Sequence, residues 1–216
     1  MFLYWIYLAC LLLSALASFF FRKNLQSRQL SIFIPFLFLL FIQELTLILC
    51  VLRWPKISTG IVYNIYQPIC VIVMAAFYYS IPFNSSLRKL IIWLLSIYLV
   101  VVIFTFAVIQ PINIYNSYLS LAGGLVITCN GIFFLFNYFN LDNPTQEKHW
   151  LPALWITIGI VAFYPVVNIS FAFYKHLVAY RAEIFGLKLY RIIPQLMSIF
   201  MYSCFTYAFY LCKKKN

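Results

Sequence analysis

The stretch "FIQELTLILC", residues 41–50, lies inside an apolar run that extends over residues 29–52. A transmembrane α-helix needs about 20 mostly apolar residues to cross roughly 30 Å of hydrocarbon, so this run is long enough to span a bilayer. Backbone groups cannot remain unpaired in lipid, and the alternating pattern of barrel strands is absent from the run. The stretch therefore predicts a membrane-spanning helix that carries one carboxyl group, Glu44, in its interior.

The composition of the chain points to the same environment. Of the 216 residues, 65% are hydrophobic and 9% are charged, whereas soluble domains are about 45–50% apolar and about 25% charged. A soluble core in a chain of this length cannot hide so much apolar surface, so we expect lipid to be the solvent for most of it. Because no long polar segment interrupts the chain, we expect one transmembrane domain over residues 1–216.

Apolar runs of similar length recur along the chain and are separated by short loops. The seven predicted spans are about 2–21, 29–52, 61–83, 90–110, 118–138, 152–174 and 189–212. The fold class predicted from them is all-α, a polytopic membrane protein built as a seven-transmembrane-helix bundle. Pro35, Pro68, Pro165 and Pro194 fall in the interior of spans, which membrane bundles tolerate where neighbouring helices satisfy the freed carbonyls.

The basic residues indicate an orientation. The formal charge is +11, but the Lys and Arg residues cluster between the apolar runs, which is typical of membrane-flanking charge and not of a nucleic-acid partner. With the N-terminus outside and the C-terminus cytoplasmic, the cytoplasmic segments carry nine Lys and Arg and the external loops carry six. This excess agrees with the positive-inside rule. The sequence "FRK" directly after the first run also indicates that this run stays attached as a span and is not removed as a signal peptide.

Glu44 needs a polar partner, since an ionisable residue inside a bilayer costs about 2.5–3.5 kcal/mol on insertion scales. It lies eight residues before Leu52, which places it about 12 Å below that membrane surface. The ends of the second and sixth spans and the starts of the third and seventh share this surface. Polar side chains at a similar depth in these segments predict a pocket in the outer half of the bundle. Its predicted residues are Glu44, Tyr63, Gln67, Tyr164, Asn168 and Gln195.

Arg191, near the start of the seventh span, has a stem long enough to reach down toward Glu44. We therefore predict seven ligand-binding residues, with Glu44 as hydrogen-bond or charge anchor and Arg191 as its counter-charge. The tyrosines and amides would orient the ligand. An alternative interpretation is that the same amides only join helices by interhelical hydrogen bonds.

Residue patterns typical of enzymes are not found in the spans. The two histidines, His149 and His176, fall in predicted loops on opposite sides, and the six cysteines form no C-x-x-C pair. The polar stretch "NLDNPTQEKHW", residues 140–150, is interpreted as a solvated turn. We therefore predict no enzyme activity, no catalytic or metal-binding residues and no cofactor.

Three stretches carry a resemblance to a known group of proteins. They are "LPALWITIGIVAFYPVVNISF" in the sixth run, "YNIYQPI" in the third and the glutamate of the second. Together they resemble small bacterial seven-helix membrane proteins, similar to the membrane modules of seven-transmembrane receptors that are associated with sensor histidine kinases. The resemblance implies a multi-pass protein of the inner (plasma) membrane that senses or relays a signal. Because no output domain is recognisable, signalling would need a separate partner such as a kinase or another membrane protein.

Two other functions fit the same seven runs. One is a small-solute transporter of three-plus-one-plus-three helices, in which parallel repeats place the first three spans over the last three. The other is a membrane scaffold that binds no ligand and packs beside another membrane protein. The few polar residues outside the spans favour this last interpretation.

Overall fold

The computed structural model describes residues 2–53, 59–81, 85–141, 144–173, 177, 180, 183–184 and 187–213. These residues are mainly α-helical, which confirms the all-α part of the predicted class. The helices are α1 (Phe2–Phe20), α2 (Arg22–Ser27), α3 (Phe33–Arg53), α4 (Thr59–Ser80), α5 (Ser85–Phe104), α6 (Ser117–Phe139), α7 (Pro144–Ala172) and α8 (Leu189–Leu211). Two strands of two residues each, β1 (Glu183–Ile184) and β2 (Leu187–Lys188), form an antiparallel pair directly before α8.

Six helical segments of the described chain are long and apolar enough to cross a membrane. They are α1, α4, α6, α7, α8 and the continuous segment Ser85–Ile109, which contains α5. Helix α3 adds a shorter apolar segment, Phe33–Ile48. Because helices of this kind satisfy their backbone groups internally while exposing apolar side chains, they fit a multi-pass membrane protein in contact with lipid.

The second predicted span begins too early by four residues. The prediction started this span at residue 29, but α3 begins at Phe33 because residues 22–27 form the separate short helix α2. Gln29 has a backbone φ of 59°, in the left-handed region that ends helices. The chain therefore turns at this residue before it enters the bundle.

The predicted turn at residues 140–150 is wrong for most of its length. Helix α7 begins at Pro144, and Glu147 lies in its first turn. Proline at the start of a helix costs no hydrogen bond, and a carboxylate there is favoured by the helix dipole. Glu147 and His149 are therefore helical, whereas Asp142 lies outside the described residues.

Six helices form a closed ring. Each of the helices α1, α3, α4, α6, α7 and α8 packs on the next in that order, and α8 packs back on α1. Helix α5 lies outside the ring, against α4 and α6. It continues into a π-helical segment, Thr105–Ile109, at its C-terminal end. The space enclosed by the bundle is therefore lined by the six ring helices.

Aromatic side chains fill one end of the ring. Phe33, at the start of α3, contacts Phe77 near the end of α4 with ring centroids 4.9 Å apart. It also contacts Phe205 of α8 at 5.4 Å, and all three rings are fully buried. Edge-on aromatic pairs of this kind are favourable beyond the area they bury. These rings therefore close the bundle at the end where α3 begins and α4 ends.

Candidate functional site

A cavity of about 250 Å³ lies inside the ring, toward the end of the bundle that contains the first residues of α1. All six ring helices contribute to its wall. Half of the 22 lining residues are aromatic: Tyr4, Tyr7, Tyr63, Tyr66, Tyr115, Tyr164 and Tyr202, with four phenylalanines. The volume is close to the lower limit of about 300 Å³ for small-molecule pockets. The cavity is therefore of a size for a small ligand.

Six of the seven residues predicted from the sequence line this cavity. They are Glu44, Tyr63, Gln67, Tyr164, Asn168 and Gln195. They share a level because the chain crosses the bundle in alternating directions, so that distance from a helix end sets the depth of each residue. The structure thus brings these side chains together, and their role in ligand binding stays a prediction.

Arg191 lies apart from this group. Its side chain is exposed, and its guanidinium lies over the ring of Tyr190, 5.7 Å from the ring centroid. Among the described residues no ion pair joins Arg191 to Glu44, so the predicted counter-charge is not observed. A guanidinium on a long stem gains little by leaving the membrane surface when an aromatic face is available beside it.

The hydrogen-bond partner of Glu44 lies on α1. The sequence analysis did not predict this contact. The Tyr4 hydroxyl donates to Glu44 Oε2 at 3.2 Å, and the Tyr7 hydroxyl approaches the same carboxyl group. The rings of Tyr4 and Tyr7 also contact each other, with centroids 5.7 Å apart. The start of the first span shares the membrane surface used in the depth argument. Tyr7 in "FLYWIY" is five residues into that span, about 8 Å deep, which is within the level of the predicted pocket residues.

The amides of Gln67 and Asn168 also join helices. Gln67 Nε2 donates to the Ser120 carbonyl at 3.4 Å, and Asn168 Nδ2 donates to the Leu121 carbonyl at 3.3 Å. Both amides approach α6 beside Gly123 and Gly124, which have no side chain in the way. A Cβ on Gly124 would lie 2.5 Å from Asn168 Nδ2. The two amides therefore line the cavity and also hold α6 against α4 and α7.

Asn64 bonds to the segment that connects α5 to α6. The sequence analysis did not predict a role for this residue, although it lies within "YNIYQPI". Its Nδ2 donates to the carbonyls of Ile112 and Ile114 at 2.8 and 2.7 Å, and its Oδ1 accepts from the Asn116 N–H at 3.1 Å. Asn64 is 4% exposed. One buried side chain therefore holds the segment that carries Tyr115, a cavity residue, against α4.

A buried amide also occurs in the other half of the bundle. Asn130 lies nine residues before the end of α6 and is 1% exposed. Within the described chain, neither its Nδ2 nor its Oδ1 has a hydrogen-bond partner. An unsatisfied buried amide costs about 1–3 kcal/mol.

Replacing Asn130 with leucine is expected to raise the free energy of unfolding by about 1–2 kcal/mol, since it removes the unsatisfied amide and keeps the branched shape. For a chain of this size this corresponds to a rise of roughly 2–8 °C in the unfolding temperature, measured on the purified protein in detergent. Asn137→Leu is the control, because Asn137 Nδ2 already donates to the Phe133 carbonyl at 2.7 Å. A lower unfolding temperature for Asn130→Leu than for Asn137→Leu would contradict the expectation.

The chain matches no protein-family model, no curated protein and no solved structure.

Proposed function

We propose that this chain is a non-enzymatic, seven-span protein of the plasma membrane that binds a small ligand in the cavity and takes part in sensing or signal relay. The observation that carries the proposal is the meeting of one carboxyl group and three amide side chains in a cavity walled by six helices. Those groups are Glu44, Gln67, Asn168 and Gln195. Polar groups are costly at membrane depth, and their collection at one cavity is typical of a binding site.

Helix α3 supplies the seventh span in this proposal. It has 21 residues, which at 1.5 Å per residue is about 31 Å and matches the hydrocarbon thickness of about 30 Å. With the N-terminus outside, as the charge distribution favours, the cavity lies in the outer half of the membrane. A ligand would then reach it from outside, and the cytoplasmic ends of the helices would meet a signalling partner such as a kinase.

A pair of serine variants on α8 tests ligand binding. Ser198 and Ser203 each donate to the carbonyl four residues earlier at 2.8 Å, but Ser198 lines the cavity and Ser203 is exposed. Ser198→Phe is expected to fill the cavity, whereas Ser203→Phe adds the same volume outside it. Compounds from a small-molecule library that raise the unfolding temperature of the purified wild type should fail to do so for Ser198→Phe. They should still stabilise Ser203→Phe.

Two outcomes would count against the proposal. Equal stabilisation of both variants by the same compounds would place their binding outside the cavity. A library that stabilises neither the wild type nor the Ser203→Phe variant would favour a scaffold without a ligand. In that case the buried polar groups serve only to join helices.

The position of α5 favours transport as a second candidate function. A transporter of three-plus-one-plus-three helices sets its fourth span apart from two groups of three, and α5 lies outside the six-helix ring. Uptake into liposomes separates the two functions. A receptor should bind its ligand without moving it, whereas a transporter should carry the same compound into wild-type liposomes and not into Ser198→Phe liposomes.

A further inference from the structure

We infer that the ligand of the cavity is a small organic cation, an amine or quaternary ammonium compound. This inference rests on the proposed ligand-binding function and names the chemical class that the cavity would take. It is drawn from the charge, the aromatic faces and the hydrogen-bonding groups of the wall.

The wall contains an acid and no basic side chain. Glu44 carries the one carboxyl group among the side chains that line the cavity, and those side chains include no Lys, Arg or His. This contrasts with the chain as a whole, which carries a formal charge of +11. Arg191 does not line the cavity, and its guanidinium lies over the ring of Tyr190. A carboxyl group without a protein cation at its side favours a ligand that brings the positive charge.

The aromatic side chains supply the second element. Near Glu44, the rings of Tyr7 and Tyr202 lie 6.0 Å apart, and those of Tyr63 and Tyr115 lie 5.7 Å apart. All of these residues line the cavity. Aromatic faces attract organic cations within about 6 Å of the ring centroid, most strongly where water is excluded. Groups of aromatic rings with one carboxylate are therefore suited to an ammonium group with apolar substituents.

The amides supply the third element. The side-chain nitrogens of Gln67 and Asn168 donate to backbone carbonyls of α6. Their carbonyl oxygens remain as acceptors, and the Tyr4 hydroxyl donates to Glu44. Glu44, Gln67 and Asn168 therefore present acceptor oxygens beside the tyrosine hydroxyls of the wall. These oxygens favour a ligand that donates hydrogen bonds, and the carboxyl group of Glu44 disfavours a carboxylate or phosphate.

The test compares cations with neutral molecules of the same shape. The probes are choline with 3,3-dimethylbutan-1-ol, and 2-phenylethylamine with 2-phenylethanol, with 3-phenylpropanoate as the anion. Binding to the purified full chain in detergent is measured by calorimetry and by the unfolding temperature. We expect at least one cation to bind tenfold or more tightly than its neutral counterpart. The anion is expected not to bind.

Glu44→Gln is expected to remove this preference, with the cation weakened tenfold or more and the neutral counterpart changed by less than threefold. Glu147→Gln is the matched control, because Glu147 is an exposed acid on the first turn of α7. At Tyr63, phenylalanine keeps the aromatic face and leucine removes it. Cation binding should therefore survive Tyr63→Phe and weaken threefold or more in Tyr63→Leu.

Each other result overturns the inference. Binding of a neutral or anionic probe as tight as that of its cation would refute the cation class while leaving ligand binding in the cavity intact. A cation preference that persists in Glu44→Gln would refute the role of the carboxyl group. Failure of every cation to bind would refute the inference, while the library screen with the serine variants decides separately whether the cavity binds any ligand.

Discussion

Asn64→Leu is expected to destabilise the protein by about 2–4 kcal/mol. The substitution removes three hydrogen bonds to the backbone of residues 112–116. The Ile114 carbonyl keeps a bond from Gln110 Nε2 at 2.8 Å, but the Ile112 carbonyl and the Asn116 N–H each lose the bond to Asn64. Asn116 is buried, and its N–H left without a partner costs about 1–3 kcal/mol, while the bonds lost from the exposed residues Ile112 and Ile114 add about 1 kcal/mol.

The measurement is thermal unfolding in detergent, where this loss corresponds to a fall of roughly 4–16 °C. Asn137→Leu again serves as the control, since its amide bonds within its own helix. Binding of any ligand found for the cavity should weaken as well, because Tyr115 belongs to the segment that Asn64 holds. Unfolding of Asn64→Leu at the wild-type temperature would show that other contacts fix this connection.

Gly124→Leu is expected to destabilise the protein by a similar amount, about 2–4 kcal/mol. A Cβ at this position would lie 2.5 Å from Nδ2 and 2.6 Å from Oδ1 of Asn168. Overpacking of this kind costs about 1–3 kcal/mol, and the lost bond from Asn168 to the Leu121 carbonyl adds about 1 kcal/mol. Since Asn168 lines the cavity, the displaced amide should also change ligand binding.

A double-mutant cycle identifies the cause of this loss. Asn168→Ala removes the side chain that Gly124→Leu would strike, so the double variant should be more stable than the sum of the two single effects predicts. Leu125→Phe is the control for added volume on α6, because Leu125 is 60% exposed. Strict additivity in the cycle would mean that the new side chain meets some other part of the bundle.

The helices and the level of the polar residues could be predicted because both depend on distance along the chain. Apolar length places each span, with starts that differ from those of the helices by up to eight residues at α7. The rise of 1.5 Å per residue then sets the depth of Glu44, Gln67 and Asn168. These quantities need no knowledge of which helices are neighbours. The correct grouping of six cavity residues follows from them.

The neighbours themselves could not be predicted, because periodicity does not encode the order of helices around a ring. The contact between α1 and α3, which gives Glu44 its bond from Tyr4, depends on this order of helices in the tertiary structure. The position of Arg191 depends on the local competition between Tyr190 and the buried carboxyl group. The bonds of Asn64 to the segment between α5 and α6 could not be predicted either, because they depend on how that segment lies against α4.

Three of the cavity helices carry prolines within their length: Pro68 in α4, Pro152 and Pro165 in α7 and Pro194 in α8. A proline removes one backbone hydrogen bond and makes a bend easier at that point. In α4, the 12 residues that follow Pro68, up to Ser80, form an arm about 18 Å long. A change of about 5° in the bend would swing the tip of this arm by about 1.5 Å. The end of α4 at the opposite membrane face would therefore move farther than the groups that contact an occupant of the cavity. The order of the helices in the ring would stay the same.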